Sequence, residues 1–221
     1  MDKLAPSRKP VIAVLAGGRS RRMGGQEKAL LKLHGIPLIE RVLAAALPLR
    51  FQTYVICGNG PSAELQKAID RAQSKWGKAC DLEMTSDLEP DRGPLGGLQS
   101  AFVASSAERI LTLACDLPFL TTELLKFVIA ESSDSNYDVV VPEDQIGLQP
   151  LCAVYFNTCR PLLEQELTGD RLSVVGFVEK LRMKRIKPDA FKHIGTNRQW
   201  FENINTIEDA YSAATTSQCE L

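Results

Sequence analysis

Val11-Ile12-Ala13-Val14-Leu15-Ala16-Gly17-Gly18-Arg19-Ser20-Arg21-Arg22-Met23-Gly24-Gly25, with Glu27-Lys28 one residue further on, is the stretch from which the fold is read. Its first five residues are all apolar, the pattern of a strand buried on both faces at the centre of a parallel sheet. The loop leaving this strand is no ordinary turn. Glycines let a backbone come close to phosphate oxygens and point successive N–H groups at them. Arginine and lysine give charge-assisted hydrogen bonds to the same oxygens. Between Arg8 and Lys32 there are seven basic residues and one acid, Glu27, in a chain of 221 residues whose net charge is −1. A strand running into such a loop predicts a polyphosphate cradle, because open parallel sheets bind ligands beyond the carboxyl ends of their strands. The spacing is neither a P-loop, since it lacks a subsequent Gly-Lys-Ser/Thr, nor the dinucleotide fingerprint Gly-x-Gly-x-x-Gly.

Moving outward, short β-rich apolar runs alternate with helical patterns, which predicts an α/β fold. Leu38 to Leu47 has helical spacing and is ended by Pro48. Thr53–Cys57 reads as a strand closed by Gly58-Asn59-Gly60. Ser62 caps a helix towards Trp76, and Leu82–Thr85 is a third strand. Gly93-Pro94-Leu95-Gly96-Gly97 opens a helix through about Ala107. Arg109–Ala114 is a fourth strand, and the next helix starts at Thr121 or Thr122. Strands are expected at Asp138–Pro142 and Leu151–Phe156, and short strands or edges at Lys184–Lys187 and Phe201–Ile204. Helices are expected at Pro161–Leu167, at Ser173–Leu181 and from Thr206 to about Ala214. No repeat or low-complexity linker divides the chain. The expected organisation is one domain over residues 10–214 with flexible ends at 1–9 and 215–221.

The fourth strand runs directly into Cys115-Asp116-Leu117-Pro118. An aspartate leaving a buried strand at the ligand edge suits Mg²⁺, which takes carboxylate and phosphate oxygens. Asp87, just past the third strand, is a second carboxylate at that edge. Late in the chain, alternation puts Asn203 and Asn205 on one face of an extended segment. They read either as groups orienting a metal-bound phosphate or as turn formers beside the cap of the last helix.

Composition excludes several classes. Hydrophobic residues make up 44% and charged residues 24%, enough for an ordinary buried core. The near-zero net charge and the absence of aromatic–basic interleaving argue against nucleic acid and an anionic membrane. No apolar run approaches the roughly 18 residues of a membrane span, and the charged N-terminus lacks a signal-peptide core. The six cysteines have no CxxC spacing and the two histidines are far apart. That argues against zinc and against a disulfide framework, and the expected compartment is the cytoplasm.

Leu15-Ala16-Gly17-Gly18-x-Ser20-x-Arg22-Met23-Gly24 with Lys28 resembles the signature of nucleotidyltransferases of GT-A-like fold, most of all the molybdenum cofactor guanylyltransferases, the MobA family. The family's other motifs are matched in order by Gly93-Pro94-Leu95-Gly96-Gly97, Cys115-Asp116-Leu117-Pro118, Gln149-Pro150-Leu151 and Asn203-Ile204-Asn205-Thr206. The resemblance implies a three-layer, Rossmann-like, mostly parallel sheet with helices on both faces. It implies Mg²⁺-dependent transfer of GMP from GTP to molybdopterin or the molybdenum cofactor, with pyrophosphate released. It places Leu15, Ala16, Gly17 and Gly18 at the nucleotide, Lys28 at its phosphates, Asp87 at the guanosine and Asp116 at magnesium. Arg19, Arg22 and Lys28 would steady the pyrophosphate. Arg171 reads either as a pterin-phosphate contact or as a surface arginine before a helix. Implied partners are GTP, molybdopterin, and other cofactor-biosynthesis proteins or molybdoenzyme chaperones. Ala16-Gly17-Gly18 is similar to the guanylyl enzymes, whereas related cytidylyltransferases more often have Ala-Ala-Gly. The chain departs from the family at Cys57, where Asn is frequent.

Two rival functions are set against this one. The first is a cytidylyl or other nucleotidyl transfer to a small phosphorylated acceptor. The second is a nucleotide- or cofactor-binding module without turnover, against which Lys28 and Asp116 speak, because binding alone needs no metal-holding acid. A phosphate monoester is already an anionic nucleophile, so the expected chemistry needs positioning and charge neutralisation and no general base.

Overall fold

The computed structural model describes residues 9–17, 27–76, 81–134, 136–169, 172–194, 199–206 and 208–209. Strand β1 (Val11–Leu15) is buried along its whole length. Next along the described chain is a small hairpin, β2 (Lys32–Leu33) against β3 (Ile36–Pro37). It turns at His34-Gly35, which both have positive φ (51° and 77°), as a two-residue turn matched to strand twist demands. Helix α1 (Leu38–Ala46) ends in a tight turn at Leu47–Leu49 containing Pro48. Then come β4 (Thr53–Ile56), α2 (Ala63–Trp76), β5 (Leu82–Thr85), α3 (Gly93–Ser105) and β6 (Arg109–Ala114). The remaining elements are α4 (Thr122–Glu131), β7 (Val139–Pro142), β8 (Cys152–Phe156), α5 (Arg160–Leu167), α6 (Val174–Glu179) and β9 (Met183–Ile186). Three helices start on the side-chain cap their sequence offers. The Ser62, Thr121 and Ser173 hydroxyls accept from the backbone N–H of Leu65, Leu124 and Gly176 at 3.1, 3.2 and 3.1 Å.

Seven strands form one sheet in the order β5-β4-β1-β6-β8-β7-β9. All run parallel except β8, which is antiparallel to both β6 and β7. The alternation of β1 sorts the core into two layers. Ile12 and Val14 pack with Ile39, Val42, Leu65, Ile69 and Leu124 of α1, α2 and α4. Val11, Ala13 and Leu15 pack with Leu95, Leu98, Phe102, Leu163 and Phe177 of α3, α5 and α6. The fold is therefore a three-layer, mostly parallel α/β architecture. The chain winds outward from β1 to β4 and β5, then returns to place β6 on the other side of β1. At that reversal β1 and β6 end side by side at the carboxyl edge, the place where open sheets of this kind bind ligands.

Phe201–Ile204, expected as a strand or edge, pairs with no strand among the described residues. Tertiary contacts direct it instead. Phe201 meets Phe191 edge-on with ring centroids 6.0 Å apart, Ile204 is buried with Leu31, Leu33 and Leu38, and its N–H donates to the Asp116 carbonyl at 3.0 Å. At the expected final helix, Thr206 and Asp209 cap each other, the Asp209 N–H donating to the Thr206 hydroxyl at 3.0 Å and the Thr206 N–H to the Asp209 carboxylate at 2.9 Å. The rest of that helix lies outside the described residues, as do the expected end segments apart from Lys9.

Asp138 ties the far edge of the sheet together. It is buried and accepts from the Arg182 guanidinium at 2.9 and 2.7 Å, the Arg182 N–H at 3.1 Å and the Thr158 hydroxyl at 2.6 Å. The Arg182 hydrogen bonds above all hold its carboxyl at about 2, below the ordinary 3.8. Because the folded value is depressed, this stabilisation is present above the unfolded value and is lost as pH falls through the folded one. Arg182 is mostly exposed, so solvent screening trims it. We predict that Asp138→Asn destabilises the protein by about 1–2 kcal/mol at neutral pH. Urea unfolding across the acid range should show the difference closing between about pH 4 and pH 2.

Candidate active site

The crevice forms where β1 and β6 end side by side. Leu15 pairs with Ala114, and the Cys115 N–H donates to the Leu15 carbonyl at 3.2 Å, which fixes the direction in which Asp116 leaves the sheet. The Ala114 N–H donates to the Leu151 carbonyl at 2.9 Å. The segment carrying Leu151 is held in turn by the buried Tyr155, whose hydroxyl donates to the Pro150 carbonyl at 2.8 Å.

At the centre, the Lys28 ammonium donates to Asp116 Oδ2 and, at 2.6 Å, to Asn205 Oδ1. Asp116 Oδ1 is buried without a partner. Asn205 is positioned by its own N–H, which donates to Asp209 at 2.8 Å, and by the buried Ile204 beside it. An orphaned carboxylate oxygen next to two oxygens that already converge on a cation is the donor chemistry of a hard divalent ion.

The crevice has two adjoining lobes that share Gly17, Asp87 and Gly93. The first is lined by Leu15, Lys28, Pro94, Asp116 and Leu151 among others. The second is lined by Ala16, Cys57, Gly58 and Asn59 together with the carboxylates Glu27 and Asp91, and no lysine or arginine lines it among the described residues. Burial pushes the Asp87 carboxyl above its ordinary range, with Asp91 adding to the rise and the Ser100 hydroxyl opposing it. Asp87 Oδ1 is likewise buried and unpartnered. Burial also pushes the Cys57 and Cys115 thiols up to about 12, so neither is a thiolate nucleophile at neutral pH.

Of the residues singled out from sequence, Leu15, Ala16, Gly17, Lys28, Asp87 and Asp116 come together around this crevice. Asn205 joins them through Lys28. Asn203, read as its equal, is exposed as Asn205 is, but it is not the amide that meets Lys28. Gly18, Arg19, Arg22 and Arg171 lie outside the described residues. Sequence reading misses Glu27, whose carboxylate accepts from the Ser62 hydroxyl at 2.9 Å, and Asp91. A signal for Glu27 exists, since it is the one acid in a basic stretch. Cys57, the departure from the family pattern, lines the second lobe with Asn59 two residues beyond.

A doubly wound sheet with a glycine turn, a lysine and a carboxylate meeting at its switch point defines the class of nucleotide-handling α/β enzymes. The pattern of the MobA-like NTP transferase domain matches residues 12–181, and the chain belongs to that family. It is 33% identical over 200 residues to a probable molybdenum cofactor guanylyltransferase of Pelotomaculum thermopropionicum, covering 90% of this chain and 89% of that one. It is 33% identical over 200 residues to a molybdenum cofactor guanylyltransferase of Desulfosudis oleivorans, covering 90% and 92%. The crystal structure of molybdopterin-guanine dinucleotide biosynthesis protein A from Archaeoglobus fulgidus superimposes with a TM-score of 0.74 at 26% identity, covering 95% of this chain and 99% of that one. The chain is therefore a nucleotidyltransferase. No helix among the described residues is long and apolar enough to cross a membrane.

Gly17 is where the two lobes touch, and a methyl group there would lie 3.0 Å from the Gly58 nitrogen and 3.2 Å from Asp87 Oδ2. The first contact is with backbone, which cannot rotate away. Gly17→Ala should therefore cost about 1–3 kcal/mol in stability and weaken nucleotide binding by more than that loss of stability accounts for. Denaturant melts and nucleotide titrations on the same variant check this.

Proposed function

We propose that this protein transfers GMP from GTP to the terminal phosphate of molybdopterin or its molybdenum-loaded form, giving the guanine dinucleotide cofactor and pyrophosphate. The observation that carries the reading is the meeting of Gly17, Lys28 and Asp116 in one lobe beside a second lobe lined by acids. The two environments divide a nucleotide between them. A lobe with a lysine and a metal-type carboxylate suits the triphosphate. An acid-lined lobe repels phosphate and favours a group rich in N–H donors, since ionised carboxylates only accept. Guanine offers adjacent N1–H and N2–H₂ donors, which cytosine and adenine lack in that arrangement. The names of the relatives support the same choice.

In the reaction an acceptor phosphate oxygen forms a bond to the α-phosphorus of GTP, and the bond from that phosphorus to the bridging oxygen of pyrophosphate breaks. The nucleophile is already ionised, so no side chain has to take a proton. The task is to bring anion to anion. Lys28 neutralises phosphate charge, Gly17 allows the backbone close to it, and Asp87 orients the guanosine. Asp116, with its open Oδ1, and the Asn205 amide oxygen fit a divalent ion, which we assign as Mg²⁺, and when bound it supplies further neutralisation of the phosphates. Gly18, Arg19 and Arg22 follow Gly17 in the sequence and are assigned to the phosphates, Arg22 with a catalytic role. Arg171 is assigned to the pterin phosphate. The proposed setting is the cytoplasm, with delivery to other cofactor-handling proteins.

Asp116→Ala should lower GMP transfer by about 10²–10³-fold while the melting temperature stays near that of the wild type. Pyrophosphate release with GTP, Mg²⁺ and molybdopterin measures it, and near-normal turnover would remove Asp116 from the chemistry. GTP at a hundred times its dissociation constant should stabilise the fold by about 2.7 kcal/mol. A larger thermal shift with CTP than with GTP would overturn the guanylyl assignment.

A further inference from the structure

Lys28 does not extend freely into the crevice. Its ammonium lies between Asp116 Oδ2 and Asn205 Oδ1, so a hard divalent ion held by the unpartnered Asp116 Oδ1 and the Asn205 amide oxygen would stand against it. Among the described residues no group of three or more histidine, cysteine or acidic side chains converges to hold a metal. The carboxylate that, among the described residues, meets Lys28 and keeps an unpartnered oxygen is Asp116, and it is already neutralised by the chain's own cation. An ammonium and a dication cannot share contact distance with one carboxylate without strong repulsion. Driving Lys28 off with a free metal ion would strip a partly buried charge of its partner, with no anion arriving to receive it.

A nucleoside triphosphate changes that balance. Its oxygens offer Lys28 replacement partners, and the same phosphates complete the metal's coordination. The surroundings show which group moves. The Ile204 N–H donates to the Asp116 carbonyl at 3.0 Å and the Asn205 N–H to the Asp209 carboxylate at 2.8 Å, and the Lys28 backbone is held in its turn by the Leu31 N–H at 3.1 Å. With the three backbones held, the long, flexible lysine side chain is the group best able to swing.

We propose that Lys28 is a built-in competitor for the metal at Asp116: it closes that carboxylate to free divalent ions and is drawn off by the triphosphate, so that metal enters with the nucleotide or after it. This rests on the reading of the crevice as a nucleoside-triphosphate site. Its consequence runs against intuition, because neutralising a cation in the active site makes the protein alone a better metal binder.

The test is Mn²⁺ binding to the full chain without nucleotide, monitored by electron paramagnetic resonance of the free ion. Lys28→Gln and Lys28→Met, each checked for a cooperative melt, should bind Mn²⁺ at least about tenfold more tightly than the wild type, as expected when a unit charge is removed from contact distance. Lys28→Arg should stay as weak as the wild type, and adding Asp116→Asn to Lys28→Gln should erase the gain. If the two neutral variants bind Mn²⁺ no better than the wild type, the competitor role is overturned. A parallel titration with a non-hydrolysable GTP analogue separates this from failure of the underlying reading. If Asp116→Asn leaves Mn²⁺ affinity unchanged there, Asp116 is no metal ligand and both proposals fall. If it weakens Mn²⁺ while Lys28→Gln shows no gain without nucleotide, only the competitor fails.

Discussion

One ammonium joins three segments of the chain. Lys28 meets Asp116, 88 residues away, and Asn205, 177 residues away. A carboxylate emerging from the middle of a covered sheet is costly unless a partner offsets its desolvation, and much of the surrounding structure supplies that partner in the right place. The β2–β3 hairpin shows how far the requirement reaches. Leu33, beside its turn, and Leu38, just after β3, pack with Ile204, and the Arg41 guanidinium donates to the Leu33 carbonyl at 3.0 Å to hold the hairpin down. Ile204 then sets Asn205 beside Lys28. A small apolar cluster outside the two main core layers thus positions a polar group of the crevice.

The parts of the fold legible in the sequence are those set by local pattern. Val11–Leu15 and Arg109–Ala114 announce themselves as covered strands because burial on both faces removes polar residues. Ser62, Thr121 and Ser173 announce helix starts through their hydroxyls. The hairpin at His34-Gly35 escapes a sequence reading because each of its strands has only two residues, too few for any periodicity, although a glycine between Leu33 and Ile36 is a turn signal. Phe201–Ile204 misleads for the opposite reason. Its two apolar residues bracket Glu202 and Asn203, and each serves a different cluster, Phe201 the aromatic one and Ile204 that of Leu31, Leu33 and Leu38. The two-residue spacing makes Asn203 and Asn205 look equivalent, and the anchoring of Ile204 to Asp116 helps to distinguish them.

In the crevice, the legible residues are those at strand ends, where the fold class itself says a ligand lies. Glu27 and Asp91 are illegible as lining groups because their place depends on how separate loops fold over one another. Glu27 reaches Ser62 at the start of α2, and Asp91 sits with φ of 66° in the turn before α3. Asp91 leaves no mark in local composition, and Glu27 is marked only as the one acid in a basic stretch. Among the described residues, Cys57, Cys115, Cys152 and Cys159 are all buried, with free thiols.

The charge distribution explains how a chain with a net charge of −1 can handle a polyanion. Among the described residues the crevice holds four carboxylates, Glu27, Asp87, Asp91 and Asp116, against one lysine. Taken alone, that balance repels a triphosphate. On the proposed reading, attraction comes from charges beyond these: the arginines of the Gly18–Gly25 sequence, and a dication carried in on the phosphates. A crevice whose described charges disfavour the bare substrate, and whose carboxylate is paired with its own lysine, would on that reading accept nucleotide and metal together more readily than either one alone. That coupling suits a transfer in which neither GTP without metal nor metal without GTP can react.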